Sequence, residues 1–136
     1  MQASFLSQAP TVSQTSQPTR VDGTVFSIII PSWNNLTFLK MCISSLKKNS
    51  RYQHQIIVHV NEGLDGSKAW VEAEKLDFTY SVNNIGVCYA LNLARRLAIN
   101  DLLVYFNDDM YACPDWDFWL YEEVKKQTSP DRKSVV

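Results

Sequence analysis

A chain of 136 residues with 46% hydrophobic and 20% charged residues holds enough apolar material for one modest core and little room for a second. Thirteen Lys and Arg against fourteen Asp and Glu leave a formal charge of -1, which excludes a general attraction to nucleic acid or to an anionic membrane, so any anionic ligand must be held locally. No apolar run approaches the roughly 20 residues that cross a bilayer, and the widely spaced Cys42, Cys88 and Cys113 form no C-x-x-C pair, reading instead as buried thiols of a cytoplasmic protein.

Residues 1–23 read as a disordered polar leader. Met1 to Thr19 is rich in Ser, Gln and Thr, without the basic start and apolar middle of a signal peptide and with too little apolar surface to order itself. Residues 24–126 alternate short apolar runs with helix-like segments, which predicts a single α/β domain. Val25 to Ile30 is a β-branched run stopped by Pro31. Its near-continuous hydrophobicity suits an interior parallel strand covered on both faces. Leu36, Leu39, Ile43 and Leu46 then fall at i, i+3, i+7 and i+10 of a helix, with Asn34 or Asn35 available to cap its first turn.

A second strand, Gln55 to Val60, leads through the turn-forming run Asn61 to Ser67 into a helix over Ala69 to Lys75. A third strand, Phe78 to Val82, precedes Asn83-Asn84-Ile85-Gly86. The helix after it places Val87, Ala90, Leu91, Ala94, Leu97 and Ala98 on one face. Leu102 to Phe106 reads as a fourth buried strand running into Asn107-Asp108-Asp109. Pro114-Asp115 opens a last helix with Trp116, Trp119, Leu120 and Val124 on one side, and residues 127–136 form a polar tail. Successive strand-helix-strand units predict a mostly parallel central sheet flanked by helices.

In such sheets ligands bind beyond the carboxyl ends of the strands, and the polar residues of this sequence cluster there. Pro31, Ser32, Trp33 and Asn34 follow the first strand, Asn61 and Glu62 the second, Asn84 and Gly86 the third, and Asn107, Asp108 and Asp109 the fourth. Two adjacent carboxylates repel one another, which a magnesium or manganese ion relieves while keeping positions open for diphosphate oxygens. A solvated turn carries such a pair as well. Trp33 offers a face for a nucleobase or serves as a core aromatic. Glu62 offers an acceptor for an imide N–H, as in uracil or thymine, or is a solvated turn acid. Asn84 and Gly86 form either a turn and cap or a close approach to a ligand.

Other polar residues read as structural. His54 and His59 lack metal-ligand spacing, Lys47, Lys48 and Arg51 suit a solvated helix end, and Asp115-Trp116-Asp117 suits a helix N-terminus.

From Val25 to Leu120 the order of these loops resembles glycosyltransferase family 2, whose members share the Rossmann-like GT-A nucleotide-binding fold. Ser27 to Asn34 is similar to the family's opening strand and Pro-Thr/Ser-Tyr-Asn turn, with Trp33 in place of Tyr. Val60-Asn61-Glu62-Gly63, followed by Asp65-Gly66-Ser67, resembles the Asp-Asp-Gly-Ser loop that holds the base, with Asn61 replacing the first Asp. Asn84-Ile85-Gly86 and Ala90-Leu91-Asn92 resemble the Asn-x-Gly turn and the Ala-Arg-Asn segment behind it, with Leu91 in place of Arg. Phe106-Asn107-Asp108-Asp109 resembles the metal-binding DxD region, with Asn107 at its first position.

The resemblance implies sugar transfer from a nucleotide diphosphate donor to a glycan or other hydroxyl acceptor, with inversion, and Glu62 makes a UDP- or dTDP-type donor the expected one. It implies a manganese or magnesium ion on Asp109 and Asp108, with Asp108 also placed for the sugar or ribose. It further implies polysaccharide biosynthesis as the setting and an acidic base well after the DxD region, so that this chain holds the donor side alone and no catalytic base is assigned. The alternatives are a noncatalytic nucleotide-binding or interaction module on the same fold and metal-assisted phosphoryl transfer, for which no G-x-x-x-x-G-K-[ST] loop is present.

Overall fold

The computed structural model describes residues 14–127. Its strands are β1 (Gln14–Thr15), β2 (Ser27–Trp33), β3 (Gln55–Asn61), β4 (Asp77–Ser81) and β5 (Leu103–Tyr105). They form one five-stranded sheet in the order β1-β4-β3-β2-β5. The pairs β2–β3, β2–β5 and β3–β4 are parallel, and β1 alone runs antiparallel, against β4. The helices are α1 (Leu36–Asn49), α2 (Ser67–Ala73), α3 (Gly86–Ala94) and α4 (Trp116–Gln127), with a 3-10 turn at Arg95–Leu97.

Alternation along the strands divides the core into two layers. Ile28 and Ile30 of β2 and Val58 and Val60 of β3 face Leu39, Cys42, Ile43 and Leu46 of α1, with Val71, Phe78 and Phe106 completing this larger cluster. Trp116, Leu120 and Tyr121 of α4 pack against it. Ile29 and Ile57 face the other way, onto Ala94 and Leu97. The small residues Ala90 and Ala94 let α3 lie close over this thinner layer. Burial on both faces explains the unbroken apolar run of β2, which has a partner strand on each side.

Several expectations need correction. The segment read as a disordered leader contributes β1, and Thr19 donates to the Asp77 carboxylate through both its amide and its hydroxyl. These contacts lie far apart in sequence and are invisible to composition. Residues 1–13 of that leader and 128–136 of the polar tail lie outside the described residues. Neither Asn34 nor Asn35 caps α1. The Asp65 carboxylate does so across the fold, accepting from the Leu36 amide at 2.7 Å and from the Ser67 amide of α2 at 3.1 Å. α2 accordingly begins at Ser67 and ends at Ala73.

Four further departures concern exposure. The strand read as buried over Leu102 to Phe106 is the three-residue edge strand β5, with Tyr105 exposed. Val87 and Trp119 are exposed although each fits the apolar stripe of its helix. Val82 lies beyond the end of β4 and is exposed. Cys42 is buried as expected, but Cys88 and Cys113 are exposed.

Candidate functional site

The parallel strands end on the same side of the sheet, so the loops after β2, β3, β4 and β5 meet there. They enclose a cavity of about 420 Å³ lined by Pro31, Ser32, Trp33, Asn34, Asn35, Asn61, Asn84, Gly86, Val87, Tyr105, Asn107, Asp108 and Asp109. Every residue predicted for the site therefore lines one space, with one exception. Glu62 is outside the lining, and its carboxylate accepts from Asn34 Nδ2 at 3.0 Å. Asn35, Val87 and Tyr105 join the lining without having been predicted, and no spacing in the sequence marked them.

Each loop is shaped by particular contacts. Asn34 takes a left-handed backbone (φ 45) and clamps the loop after β3, its Oδ1 accepting from the Leu64 amide while its Nδ2 reaches Glu62. That loop turns at Gly63, where a Cβ would lie 2.9 Å from Val60 Cγ1 and the positive φ itself favours glycine. Asn61 is buried, and its Oδ1 accepts from the Ile85 amide at 2.9 Å. Asn84 Oδ1 accepts from the Gly86 amide, so these two asparagines hold the turn that starts α3. The N-terminus of α3 opens onto the cavity, a setting that favours anions.

Trp33 is 56% exposed, which removes the core-aromatic reading and leaves its indole as a wall of the cavity. Asp108 is half-buried and accepts from Ser32 Oγ at 2.8 Å, whereas Asp109 is exposed. Tyr105 donates its hydroxyl to Asn107 Oδ1, orienting the residue ahead of the acidic pair. Beneath the pair, burial first and then the charges of Asp108 and Asp109 push the Cys42 thiol up to about 12, so it stays protonated. The site thus presents two carboxylates with most of their acceptor capacity unused.

Among the described residues no group of three or more His, Cys, Asp or Glu side chains could hold a metal. The donor set still fits a hard cation. Two carboxylates supply charge, and such an ion takes its remaining oxygens from water and substrate.

The histidines and the second acidic run are engaged within the fold. The Phe26 amide donates to His54 Nδ1, so the ring proton lies on Nε2, 2.8 Å from Asp117 Oδ2. Burial lowers the His54 pKa despite Asp117, and the imidazole is neutral. Asp117 is fully buried; desolvation opposes its ionisation, but the Arg51 and Tyr52 amides and then His54 hold its carboxyl below the usual range. A second cavity of about 370 Å³ lies at the opposite end of the sheet, lined by Thr19, Leu46, Tyr52, Ile56, Leu76 and Asp77 among others. Its Asp77 is committed to Thr19 and Gln55.

Residues 27–129 match the family model for Glycosyl transferase family 2. The chain belongs to this family. An uncharacterized glycosyltransferase, YfnE of Bacillus subtilis (strain 168), is 32% identical over 94 residues, covering 65% of this chain and 24% of that protein. Among solved structures, the mannosyltransferase PcManGT from Pyrobaculum calidifontis, in complex with GDP-Man and Mn2+, superimposes with a TM-score of 0.66 at 22% identity, over 88% of this chain and 36% of the other. Staphylococcus aureus TarS 1-349 in complex with UDP does so with a TM-score of 0.64 at 20% identity, over 76% of this chain and 32% of the other. The same protein with UDP-GlcNAc gives 0.60 at 19% identity, over 74% of this chain and 30% of the other. At such identities the solved structures establish the fold, the expected GT-A arrangement. The family 2 chain described here spans about a quarter of its curated relative and about a third of these structures. No helix among its described residues is long and apolar enough to cross a membrane.

Proposed function

We propose that this chain carries the donor subsite of an inverting glycosyltransferase, which takes a sugar from a nucleoside diphosphate to a hydroxyl acceptor with help from manganese or magnesium. The observation that carries the reading is the convergence of four strand-end loops on one cavity closed at one side by Asp108 and Asp109. In this reading Asp109 is the principal metal ligand. Asp108, steadied by Ser32, shares the metal or takes a sugar or ribose hydroxyl. The cation, when bound, supplies charge neutralisation for the departing diphosphate. Trp33, Asn61, Asn84 and Gly86 form the nucleotide side, and the α3 N-terminus adds a favourable potential for phosphate. The Mn2+ and nucleotide sugars named with the solved relatives support this reading.

Glu62 was the ground for expecting a UDP- or dTDP-type base. Its carboxylate accepts from Asn34, a residue of the lining, while Trp33 and Asn61 line the cavity directly.

Apart from Asp108 and Asp109 the lining contains no acid, so no base toward the acceptor is assigned. Calorimetric titration of nucleoside diphosphates into the chain, with and without manganese, tests the donor site. Metal-dependent binding that weakens at least tenfold in Asp109→Ala is expected, the loss of a charged ligand being of order 1.4 kcal/mol or more. Equal binding without metal or in the variant would remove the metal assignment. Sugar transfer by this chain alone to an added acceptor would show that a base has been overlooked.

A further inference from the structure

The cavity of about 370 Å³ at the amino end of the sheet shares no lining residue with the one at the carboxyl rim. Gln55 and Ile56 border the first and Asn61 the second, so the length of β3 separates them, roughly 17–20 Å at the usual rise per residue. The volume falls in the range that encloses a small organic molecule.

The interior polar groups of this cavity are spent on the fold. Gln55 Oε1 accepts from Ser27 Oγ and the Ile99 amide, while its Nε2 donates to Asp77 and to the Leu97 carbonyl. The Asp77 carboxylate also takes the amide and hydroxyl of Thr19. Ser50 Oγ donates to the Leu46 carbonyl and accepts from Trp116 Nε1. Much of the remaining wall is aliphatic, the half-buried Ile56 and Leu76 with the buried Ile28 and Leu46. Apolar contact is what this interior chiefly offers a ligand.

Charge enters at the mouth. Lys47 and Lys75 both belong to the lining and both are exposed. The Lys47 ammonium lies 3.8 Å from Glu74, an exposed pair of the kind that contributes little and yields to another anion. Lys75 forms no ion pair among the described residues. It closes the turn after α2 with a left-handed backbone (φ 54). Glycine adopts that conformation at lower cost, so the turn itself gives no reason for a lysine there.

We propose that this cavity is a second ligand site, separate from the donor site, for a small amphipathic anion. Its hydrocarbon or aromatic body lies against Ile56 and Leu76, and its carboxylate or phosphate is held at the mouth by Lys47 and Lys75. The buried carboxylate of Asp77 fixes this orientation, because it opposes an anionic head placed inside.

The test titrates three eight-carbon probes, octanoate, octylammonium and 1-octanol, into chain carrying labelled Ile and Leu methyls and follows the methyl NMR signals. Octanoate should move the Ile56 and Leu76 methyls saturably and bind more tightly than octylammonium. The double variant Lys47→Gln, Lys75→Gln should weaken octanoate by about fivefold, the combined effect of two exposed charges, and leave 1-octanol where it was. Both lysines are exposed, so the variant keeps the core. Octylammonium binding as tightly as octanoate, an octanoate affinity unmoved in the variant, or saturable shifts confined to methyls outside the cavity would each overturn the proposal. So would the absence of saturable shifts with any probe.

Discussion

Two short acidic runs, Asn107-Asp108-Asp109 and Asp115-Trp116-Asp117, look alike on paper and have opposite roles. Asp117 is fully buried and surrounded by donors: the Arg51 amide at 3.0 Å, the Tyr52 amide at 2.8 Å, the Phe118 amide at 2.9 Å and His54 Nε2 at 2.8 Å. Every lone pair it can offer is spent on the fold, and it joins α4 to the loop before β3. Asp108 is half-buried and accepts from Ser32 Oγ, and Asp109 stands exposed at the cavity. A carboxylate becomes available to a ligand when the chain around it withholds donors. Charge in the sequence does not distinguish the two cases; the supply of N–H groups does.

The largest effect on stability should come from breaking the satisfied cluster. Asp117→Ala leaves buried donors of Arg51, Tyr52 and His54 unpaired, and urea denaturation should register a loss of roughly 3–5 kcal/mol. A loss below about 1 kcal/mol would mean that water replaces the carboxylate without penalty.

Acid should have the next effect, through His59. It is fully buried between Thr79 Oγ1 and Ser81 Oγ, and burial pushes its pKa down from 6.5 to about 4. The unfolded chain therefore binds a proton that the fold refuses. Stability is fully present above pH 6.5 and is lost as the pH falls toward about 4, by roughly 3 kcal/mol for this group, with His54 shifted in the same direction. Thermal melts across that window should show the decline, and His59→Gln should flatten it.

Smaller still is Asp65, whose carboxylate caps α1 and α2 together. Asp65→Ala should cost about 1–2 kcal/mol in chemical denaturation and loosen the loop that holds Asn34. The smallest change in melting temperature should follow Asp109→Ala, because nothing in the fold depends on that exposed carboxylate, even though nucleotide binding is expected to suffer there. A large stability loss at Asp109 would erase the distinction between the two acidic runs.

Much of this was legible in the chain. The apolar run 25–30 announced a strand buried on both faces, and the periodicity of Leu36, Leu39, Ile43 and Leu46 announced the helix that follows, although Leu36 is only partly buried. Polar residues placed just after each strand marked the carboxyl rim, because parallel strands bring those positions together whatever the loops contain. Stripe periodicity failed at Val87 and Trp119, where an apolar residue fits its helix but stays exposed. It failed again at Tyr105, because among the described residues β5 has a partner on one side alone. Exposure depends on what packs opposite, which local spacing does not encode.

The sequence by itself determined the family, the alternation of strand and helix, and the rim on which Trp33, Asn61, Asn84 and Asp108–Asp109 gather, since these follow from local periodicity and parallel topology. Only the tertiary structure decided which polar groups are spent and which are free. It gave Asp65 to two helix ends, Glu62 to Asn34, the oxygen of Asn61 to Ile85, and Asp117 to a circle of buried donors. Hydrogen-bond capacity is consumed by partners distant in the chain, and what is left over for a ligand can be counted once those partners are in place.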